Sequence, residues 1–234
     1  MDEANDLIYG VHPVAEALKN RRRRFISLLA SKNAADRIAT EIASTKLAPQ
    51  IVHPRDLDRR LGADAVHQGI LLEAKPLAQP RLDQIEKSRL VVLLDQVTDP
   101  HNVGAILRTC AAFQVTALIA TARHSPEGSG VLFKSASGAY EHVPYVKVTN
   151  LSRAMEELKT YGFRIVGLDS EASGLIQNVD RIPPLTVVLG AEGKGLRQLT
   201  RANCDELVRL DLNGPIKSLN VSNAAAIALY ALTR

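Results

Sequence analysis

The sequence contains no tryptophan, four phenylalanines and five tyrosines among its 234 residues. Proteins that bind single-stranded nucleic acid by stacking its bases depend on aromatic side chains. The scarcity of aromatic residues therefore argues against a base-stacking platform. Any nucleic acid partner would be held mainly through its phosphates and its shape.

Cysteine is equally scarce, with only Cys110 and Cys204, which lie far apart and outside any CxxC or His/Cys cluster. This spacing indicates neither a disulfide framework nor a zinc site, so we expect no metal and a reducing environment. The sequence also lacks an apolar run approaching the roughly 18 residues of a membrane span, and its acidic start, MDEANDL, is unlike an export signal. It predicts a soluble, cytoplasmic protein without a membrane partner.

The charge balance is mildly basic, with a formal net charge of +4 and a pI near 9.1. Such an excess permits a polyanionic partner without requiring one. The composition, 46% hydrophobic and 23% charged, is that of a folded globular protein, and the length allows one large or two small domains.

The first third of the chain alternates between helical and extended patterns. The expected helices are 14–20, 34–46 and 54–61, and the expected strands are 25–30, 51–52 and 69–73. The stretch AKPLAQPR at 74–81 carries two prolines and no periodicity, which is typical of a linker. We therefore predict a domain at 1–75, a linker at 76–82 and a second domain at 83–234.

The second domain continues the alternation. The expected strands are 90–94, 116–120, 145–148, 163–168, 186–189 and 206–212; the expected helices are 103–113, 130–137, 151–161, 196–202 and 218 to the C-terminus. This pattern predicts an α/β fold whose mostly parallel sheet carries helices on both faces. The last two strands each end at a glycine-containing loop, on the edge where open α/β sheets hold their ligands.

The first candidate motif, LDQVTDPHNVGAILRT, joins a strand to a helix and contains Asn102 and Arg108. Asp99 and Asn102 could simply cap the helix, and Arg108 could be a solvated helix residue. However, Arg108 stands alone among apolar neighbours, which also favours a functional guanidinium. The residues alone leave both interpretations open.

The second motif, GAEGKG, has glycines at Gly190, Gly193 and Gly195. Their spacing is GxxGxG instead of GxGxxG, which disfavours a nicotinamide dinucleotide site. Such glycines indicate backbone freedom or close approach of a ligand, with the Glu192 carboxylate beside it. An ordinary tight turn with an exposed glutamate is the alternative.

The third motif, GPIKSLNVS, gathers Lys217, Ser218, Asn220 and Ser222 at the start of a helix. Free backbone donors at such a start can meet an anionic or polar ligand, although simple capping by Ser218 or Asn220 would also explain these residues. The helix that follows, NAAAIALYAL, is apolar around most of its circumference, which predicts that it is buried, for instance in a subunit interface.

A basic run, Arg21, Arg22, Arg23 and Arg24, lies between a helix and a strand of the first domain. Charge runs are commonly solvated, but four adjacent arginines can also bind phosphates. We therefore carry these four residues as candidate RNA contacts.

The order and separation of the three motifs resemble those of the SpoU (TrmH-type) branch of the SPOUT RNA ribose 2'-O-methyltransferases. The resemblance covers residues 90–234 and rests on DPHNVGAILR, GAEGKG and SLNVS. It implies a C-terminal trefoil-knot methyltransferase domain, S-adenosylmethionine as the cofactor, and homodimers paired through the knot region and the C-terminal helix. Where many members have Ile-Pro-Met, this chain has Leu210-Asp211-Leu212. Because the proline is missing, the resemblance does not specify the backbone conformation at that point.

The same resemblance assigns roles to the candidate residues. It implies that Gly190, Leu210 and Leu219 line the cofactor pocket. Arg108 matches the arginine to which the family assigns activation of the 2'-hydroxyl. A guanidinium scarcely deprotonates, so we expect Arg108 to bind the adjacent phosphate and to stabilise developing alkoxide charge. Hydrogen bonds would fix Arg108, the loop and the ribose, and the catalytic residues that make them are Asn102, Glu192, Ser218 and Asn220.

Upstream, IYGVHPVAEAL and VHQGILLEAKPL resemble the small L30e-like domain that grips RNA in the subgroup acting on a guanosine of large-subunit (23S) ribosomal RNA. Members acting on transfer RNA often lack that domain, so its presence favours ribosomal RNA as the partner. The alternatives are a transfer RNA guanosine 2'-O-methyltransferase and a non-catalytic RNA-binding protein of ribosome assembly.

Overall fold

The structure is a computed structural model that describes residues 4–85, 89–123, 125–215 and 218–234. The strands are β1 (Asp6–Tyr9), β2 (Phe25–Ala30), β3 (Gln50–Ile51), β4 (Ile70–Ala74), β5 (Leu90–Asp95), β6 (Ala117–Thr121), β7 (Tyr145–Val148), β8 (Arg164–Leu168), β9 (Gly174–Leu175), β10 (Leu185–Gly190) and β11 (Glu206–Arg209). The helices are α1 (Val11–Lys19), α2 (Lys32–Arg37), α3 (Ala39–Ala43), α4 (Pro54–Leu61), α5 (Pro100–Ala112), α6 (Gly130–Ala136), α7 (Leu151–Thr160), α8 (Gln198–Asn203) and α9 (Val221–Thr233).

Residue contacts divide the chain into two compact units. Unit 1 comprises residues 1–78 and 127–142, and unit 2 comprises 79–126 and 143–234. This division differs from the expected one in the segment 127–142, which follows several elements of the second domain in sequence but packs with the first. We expected a single linker at 76–82, whereas the chain passes between the units three times.

Unit 1 is built on a four-stranded sheet in the order β1-β4-β2-β3. β4 is antiparallel to β1 and β2, and β3 runs parallel to β2. The expected helix 34–46 is two helices, α2 and α3, because the backbone leaves the helical region at the buried Ile38 (φ −126°). The periodicity of this stretch continues across that break, so the sequence pattern did not reveal it.

Glycines allow the segment 127–142 to approach the rest of unit 1 closely. A Cβ on Gly130 would lie 2.3 Å from Cε1 of Tyr9, and a Cβ on Gly138 would lie 2.5 Å from Cγ of Glu16. Gly138 also has a positive φ of 93°, which disfavours any larger residue. The segment thus belongs to unit 1 because its backbone lies directly against β1 and α1.

Unit 2 contains a seven-stranded sheet in the order β7-β6-β5-β10-β8-β11-β9, and every described strand pair in it is parallel. The helix α7 covers alternate residues of the sheet, including Val91, Ile165 and Val188. The helices α5 and α9 pack against each other, and α9 also contacts β10. The predicted α/β architecture is confirmed for this unit, although β11 ends at Arg209 and leaves the expected strand residues 210–212 in a loop.

Two features are absent from the described ranges. No helix there is both long and apolar enough to cross a membrane. No group of three or more His, Cys, Asp or Glu side chains among these residues has the arrangement of a metal site.

Candidate active site

A cleft opens in unit 2 at the carboxyl ends of β8, β10 and β11, the edge at which the sequence placed the ligand. It encloses about 750 Å³ when the space at its open mouth is counted. Its apolar wall consists mainly of leucines and its polar lining includes two carboxylates and a hydroxyl. The leucines are Leu168, Leu189, Leu210, Leu212 and Leu219, and the polar residues include Asp169, Glu192 and Ser218.

The residues predicted to bind the cofactor, Gly190, Leu210 and Leu219, all line this cleft. The requirement for glycine at position 190 comes from the loop itself, since a Cβ there would lie 2.3 Å from the carbonyl carbon of Gly195. The loop closes on its own start, where the amide of Gly195 donates to the carbonyl of Ala191 at 2.8 Å. The loop is therefore a tight turn that also lines the cleft, so both interpretations of its glycines apply.

Three residues from three separate motifs meet at the cleft. Oε1 of Glu192 accepts hydrogen bonds from Nδ2 of Asn220 at 2.5 Å, from Nδ2 of Asn102 at 3.2 Å and from the amide of Val221 at 3.3 Å. Nδ2 of Asn220 also lies 2.9 Å from Oδ1 of Asn102. We call residues 190–195 the glycine loop. The Glu192 carboxylate thus connects the start of α5, the glycine loop and the start of α9.

Helix capping explains how two of these side chains are oriented. Asp99 caps α5 by accepting from the amide of His101 at 3.0 Å, and Pro100 occupies the first helical position. The proposed cap at Asn102 is wrong, because this residue lies within the first turn and directs its amide to Glu192. Asn220 does cap α9, with Oδ1 accepting from the amide of Ser222 at 2.9 Å, which leaves Nδ2 to bond Glu192.

Known proteins match this chain in sequence and in fold. Residues 89–230 match the model of the SpoU rRNA Methylase family, and residues 7–80 match the model described as RNA 2'-O ribose methyltransferase substrate binding. The chain belongs to the SpoU methylase family. A relative named 23S rRNA (guanosine-2'-O-)-methyltransferase RlmB, from Haemophilus influenzae, is 36% identical over 241 aligned positions, and the alignment covers 98% of each chain.

Solved structures of SpoU proteins share the fold. The SpoU methyltransferase AviRb from Streptomyces viridochromogenes, in complex with the cofactor AdoMet, matches 98% of this chain and 89% of its own, with a TM-score of 0.85 and 24% identity. The A. aeolicus TrmH/SpoU tRNA modifying enzyme covers 65% of this chain and 80% of its own, with a TM-score of 0.56 and 28% identity. The SPOUT fold class with an N-terminal substrate-binding domain is therefore confirmed.

Three further residues of the candidate motifs have different outcomes. Ser218 is exposed and lines the cleft, whereas Lys217 lies outside the described residues. Arg108 is exposed on α5 and, within the described part of the chain, forms no ion pair or hydrogen bond. Arg108 lies six positions after Asn102, which places the two side chains on different faces of the helix. The expected bonds from the other site residues to Arg108 are absent among the described contacts.

The arginine run of unit 1 requires one correction. Arg21, Arg22 and Arg24 are exposed, but the side chain of Arg23 is fully buried. Its guanidinium forms ion pairs with Asp6 at 2.5 Å and with Glu141 at 2.7 Å. A buried charge needs such partners, so Arg23 is a structural residue and cannot contact RNA from this position.

The predicted burial of the C-terminal helix is also incomplete. One face of α9 packs inward through Ala225, Leu229 and Leu232. The opposite face exposes Ile227 by 44% and Tyr230 by 57%. In the single chain, therefore, α9 keeps an apolar strip facing outward.

The sequence motifs missed the contribution of β8 to the site. Asp169 and Ser170 line the cleft directly after that strand, yet they lie outside all three motifs. The signal was available, because the strand predicted at 163–168 ends immediately before them and parallel strands share their carboxyl edge.

Proposed function

We propose that this SpoU methylase transfers the methyl group of S-adenosylmethionine to the ribose 2'-hydroxyl of a guanosine in 23S ribosomal RNA. The observation that carries this proposal is the meeting of Asn102, Glu192 and Asn220, from three separate motifs, beside one cleft. Relatives named for this reaction match over almost the whole length of both chains, whereas the tRNA modifying enzyme covers 65% of this one. The chain also carries the substrate-binding match at residues 7–80.

The cleft fits S-adenosylmethionine. Leu219 exposes 37% of its surface, and Leu210 and Leu212 lie on the same wall, so an adenine ring would find apolar contacts there. Gly193 and Gly195 both have positive φ values, and a Cβ at either would meet nothing within 4 Å, which leaves the loop backbone open to the amino-acid end of a ligand. When bound, S-adenosylmethionine supplies an activated methyl group, so the protein has mainly to align the acceptor and manage its proton.

The polar residues have two proposed roles, which are to position the ribose and to stabilise charge on its oxygen. Glu192 holds Asn102 and Asn220 in place, and Ser218 presents a hydroxyl at the cleft wall. We assign to these four residues the positioning of the loop and of the ribose. Arg108, exposed on α5, would bind the neighbouring phosphate and stabilise negative charge that develops on the attacking oxygen.

Unit 1 would hold the RNA. The three exposed arginines of the basic run, Arg21, Arg22 and Arg24, lie close together in sequence and can contact phosphates. We also propose a cytoplasmic location, which the two free thiols of Cys110 and Cys204 favour.

A second copy of the chain is the partner we propose for α9. The exposed Ile227 and Tyr230, with Phe113 packed edge-on against Tyr230 at 6.4 Å between ring centroids, form an apolar strip that pairing would bury. A homodimer of this kind would be checked by sedimentation of the wild type and of Tyr230→Glu, which should shift the chain toward a monomer.

The decisive experiment is transfer of radiolabelled methyl from S-adenosylmethionine to protein-free ribosomal and transfer RNA, followed by nucleoside analysis. Label recovered as 2'-O-methylguanosine from 23S RNA would support the proposal. Label only in transfer RNA would replace it with the sister activity. Absence of label together with absence of cofactor binding would favour a non-catalytic RNA-binding protein.

A further inference from the structure

The glycine loop of the cleft lies between two buried carboxylates. β10, which carries the loop, is flanked in the sheet by β5 and β8. Asp95 is the last residue of β5 and has a side chain with 0% exposure; it is the direct cross-strand partner of Gly190. Asp169 follows the end of β8, and its side chain is 5% exposed. The two strand ends on either side of the loop therefore each place an aspartate at the carboxyl edge.

Both aspartates pair with arginines at the far end of the same loop. Asp95 accepts from the amide of Arg197 at 2.9 Å and from its Nε at 2.6 Å. Oδ2 of Asp169 lies 2.5 Å from Nη1 of Arg201, an ion pair without hydrogen-bond alignment, while its Oδ1 accepts from the amide of Glu171 at 2.9 Å. Arg197 is the N-cap residue of α8 and Arg201 lies four residues later, so both arginines follow the loop.

We propose that these two ion pairs form a two-point anchor that holds the glycine loop in its cofactor-binding geometry. The start of the loop is fixed by β10, whereas Gly193 and Gly195 carry no side chain, and nothing packs within 4 Å of the place where a Cβ of either would lie. The anchor fixes the other end across both neighbouring strands and so determines where Glu192 lies. Asp95, Arg197 and Arg201 are thus positioning residues that act through the loop, and Asp169, which also lines the cleft, pairs with Arg201. The inference rests on the proposed use of S-adenosylmethionine.

The physical reason concerns position more than stability. Arg197 and Arg201 are 45% and 42% exposed, so water screens part of each ion pair on the arginine side. Their carboxylate partners are buried at fixed strand ends, so each pair restricts where α8 can begin. A site held by such supporting contacts loses affinity when its geometry loosens.

The test compares Arg201→Gln and Asp169→Asn with a matched control. Arg164→Gln breaks the Arg164–Glu206 pair, which is also 2.5 Å long and joins two strands of the same sheet at their amino ends. We expect the dissociation constant of S-adenosylmethionine, measured by titration calorimetry, to rise about tenfold in the first two variants. The control should bind like the wild type, and the KM for RNA should stay unchanged in all three. Hydrogen exchange of the amides at 191–197 should quicken only when the anchor is broken.

Measuring the double variant distinguishes loss of the Asp169–Arg201 ion pair from a general loss of structure. If Asp169 and Arg201 act together, the double variant should bind S-adenosylmethionine about as weakly as either single variant. Wild-type affinity in Arg201→Gln and Asp95→Asn would overturn the anchor, and so would an equal loss of affinity in Arg164→Gln. Failure of the wild type to bind S-adenosylmethionine would instead overturn the proposed function.

Discussion

Replacing Arg23 with Met tests whether this member of the basic run is structural. The Arg23 guanidinium is wholly buried and faces two carboxylates, Asp6 and Glu141, and it also donates to the carbonyl of Lys75 at 3.1 Å. Methionine would fill much of the same space but would leave two buried carboxylates without a cation. Removing one partner of a buried ion pair costs about 3–5 kcal/mol, because the remaining charge stays desolvated.

This cost translates into a measurable shift of the melting temperature. The unfolding entropy is about 2.1 cal/mol/K per residue, so for a 234-residue chain that unfolds cooperatively we expect a decrease of about 6–10 °C. The shift would be larger if unit 1 unfolds by itself, since fewer residues then carry the entropy. Circular dichroism during heating provides the measurement.

Arg24→Met is the matched control, because Arg24 is the exposed neighbour in the same run. Its melting temperature should stay close to that of the wild type, since surface substitutions usually change stability by less than about 0.5 kcal/mol. Equal melting temperatures for the two variants, together with weaker RNA binding by Arg23→Met, would refute the buried role and restore Arg23 as an RNA-binding residue.

Four further outcomes are expected. Arg108→Ala should abolish methyl transfer while calorimetry shows nearly unchanged cofactor binding, and wild-type turnover would remove this residue from the mechanism. Replacing the three exposed arginines of the run with Gln should weaken RNA binding and reduce its dependence on salt, with the logarithmic slope falling by about 0.7–0.9 for each phosphate that is no longer neutralised. Burial raises the pKa of Cys204 to about 12, so a thiol reagent at pH 8 should modify it only after unfolding. A hydrogen bond from Asn5 is the main cause that lowers the pKa of Glu73, so the stability advantage of wild type over Glu73→Gln should be complete at neutral pH and should fade as the pH falls through that lowered pKa.

The meeting of Asn102, Glu192 and Asn220 could be predicted because each motif follows a strand of one parallel sheet. Such strands share their carboxyl edge, so residues far apart in sequence are brought to one place. The position of Arg108 on a different face of α5 from Asn102 was less well predicted, although helix geometry is sufficient to predict it. A side chain six residues along a helix points in a different direction from the first.

The burial of Arg23 could not be predicted, because four identical residues in a row carry no local signal that distinguishes one of them. The distinction arises from Glu141, which lies 118 positions later in a segment expected to belong to the other domain. The division of α2 from α3 was hidden for a related reason, since a buried Ile38 fits a continuous helix as well as a broken one.

The composition of unit 1 from two separate stretches of chain has a consequence for biosynthesis. During translation, residues 1–78 are synthesised before Glu141. Arg23 can therefore pair with Glu141 only after the chain has grown by a further 118 residues. A domain that completes its buried contacts late exposes its unfinished surface for longer, and distant contacts also slow folding. We therefore expect the first stretch to gain protease resistance only in nascent chains that have extended beyond residue 142.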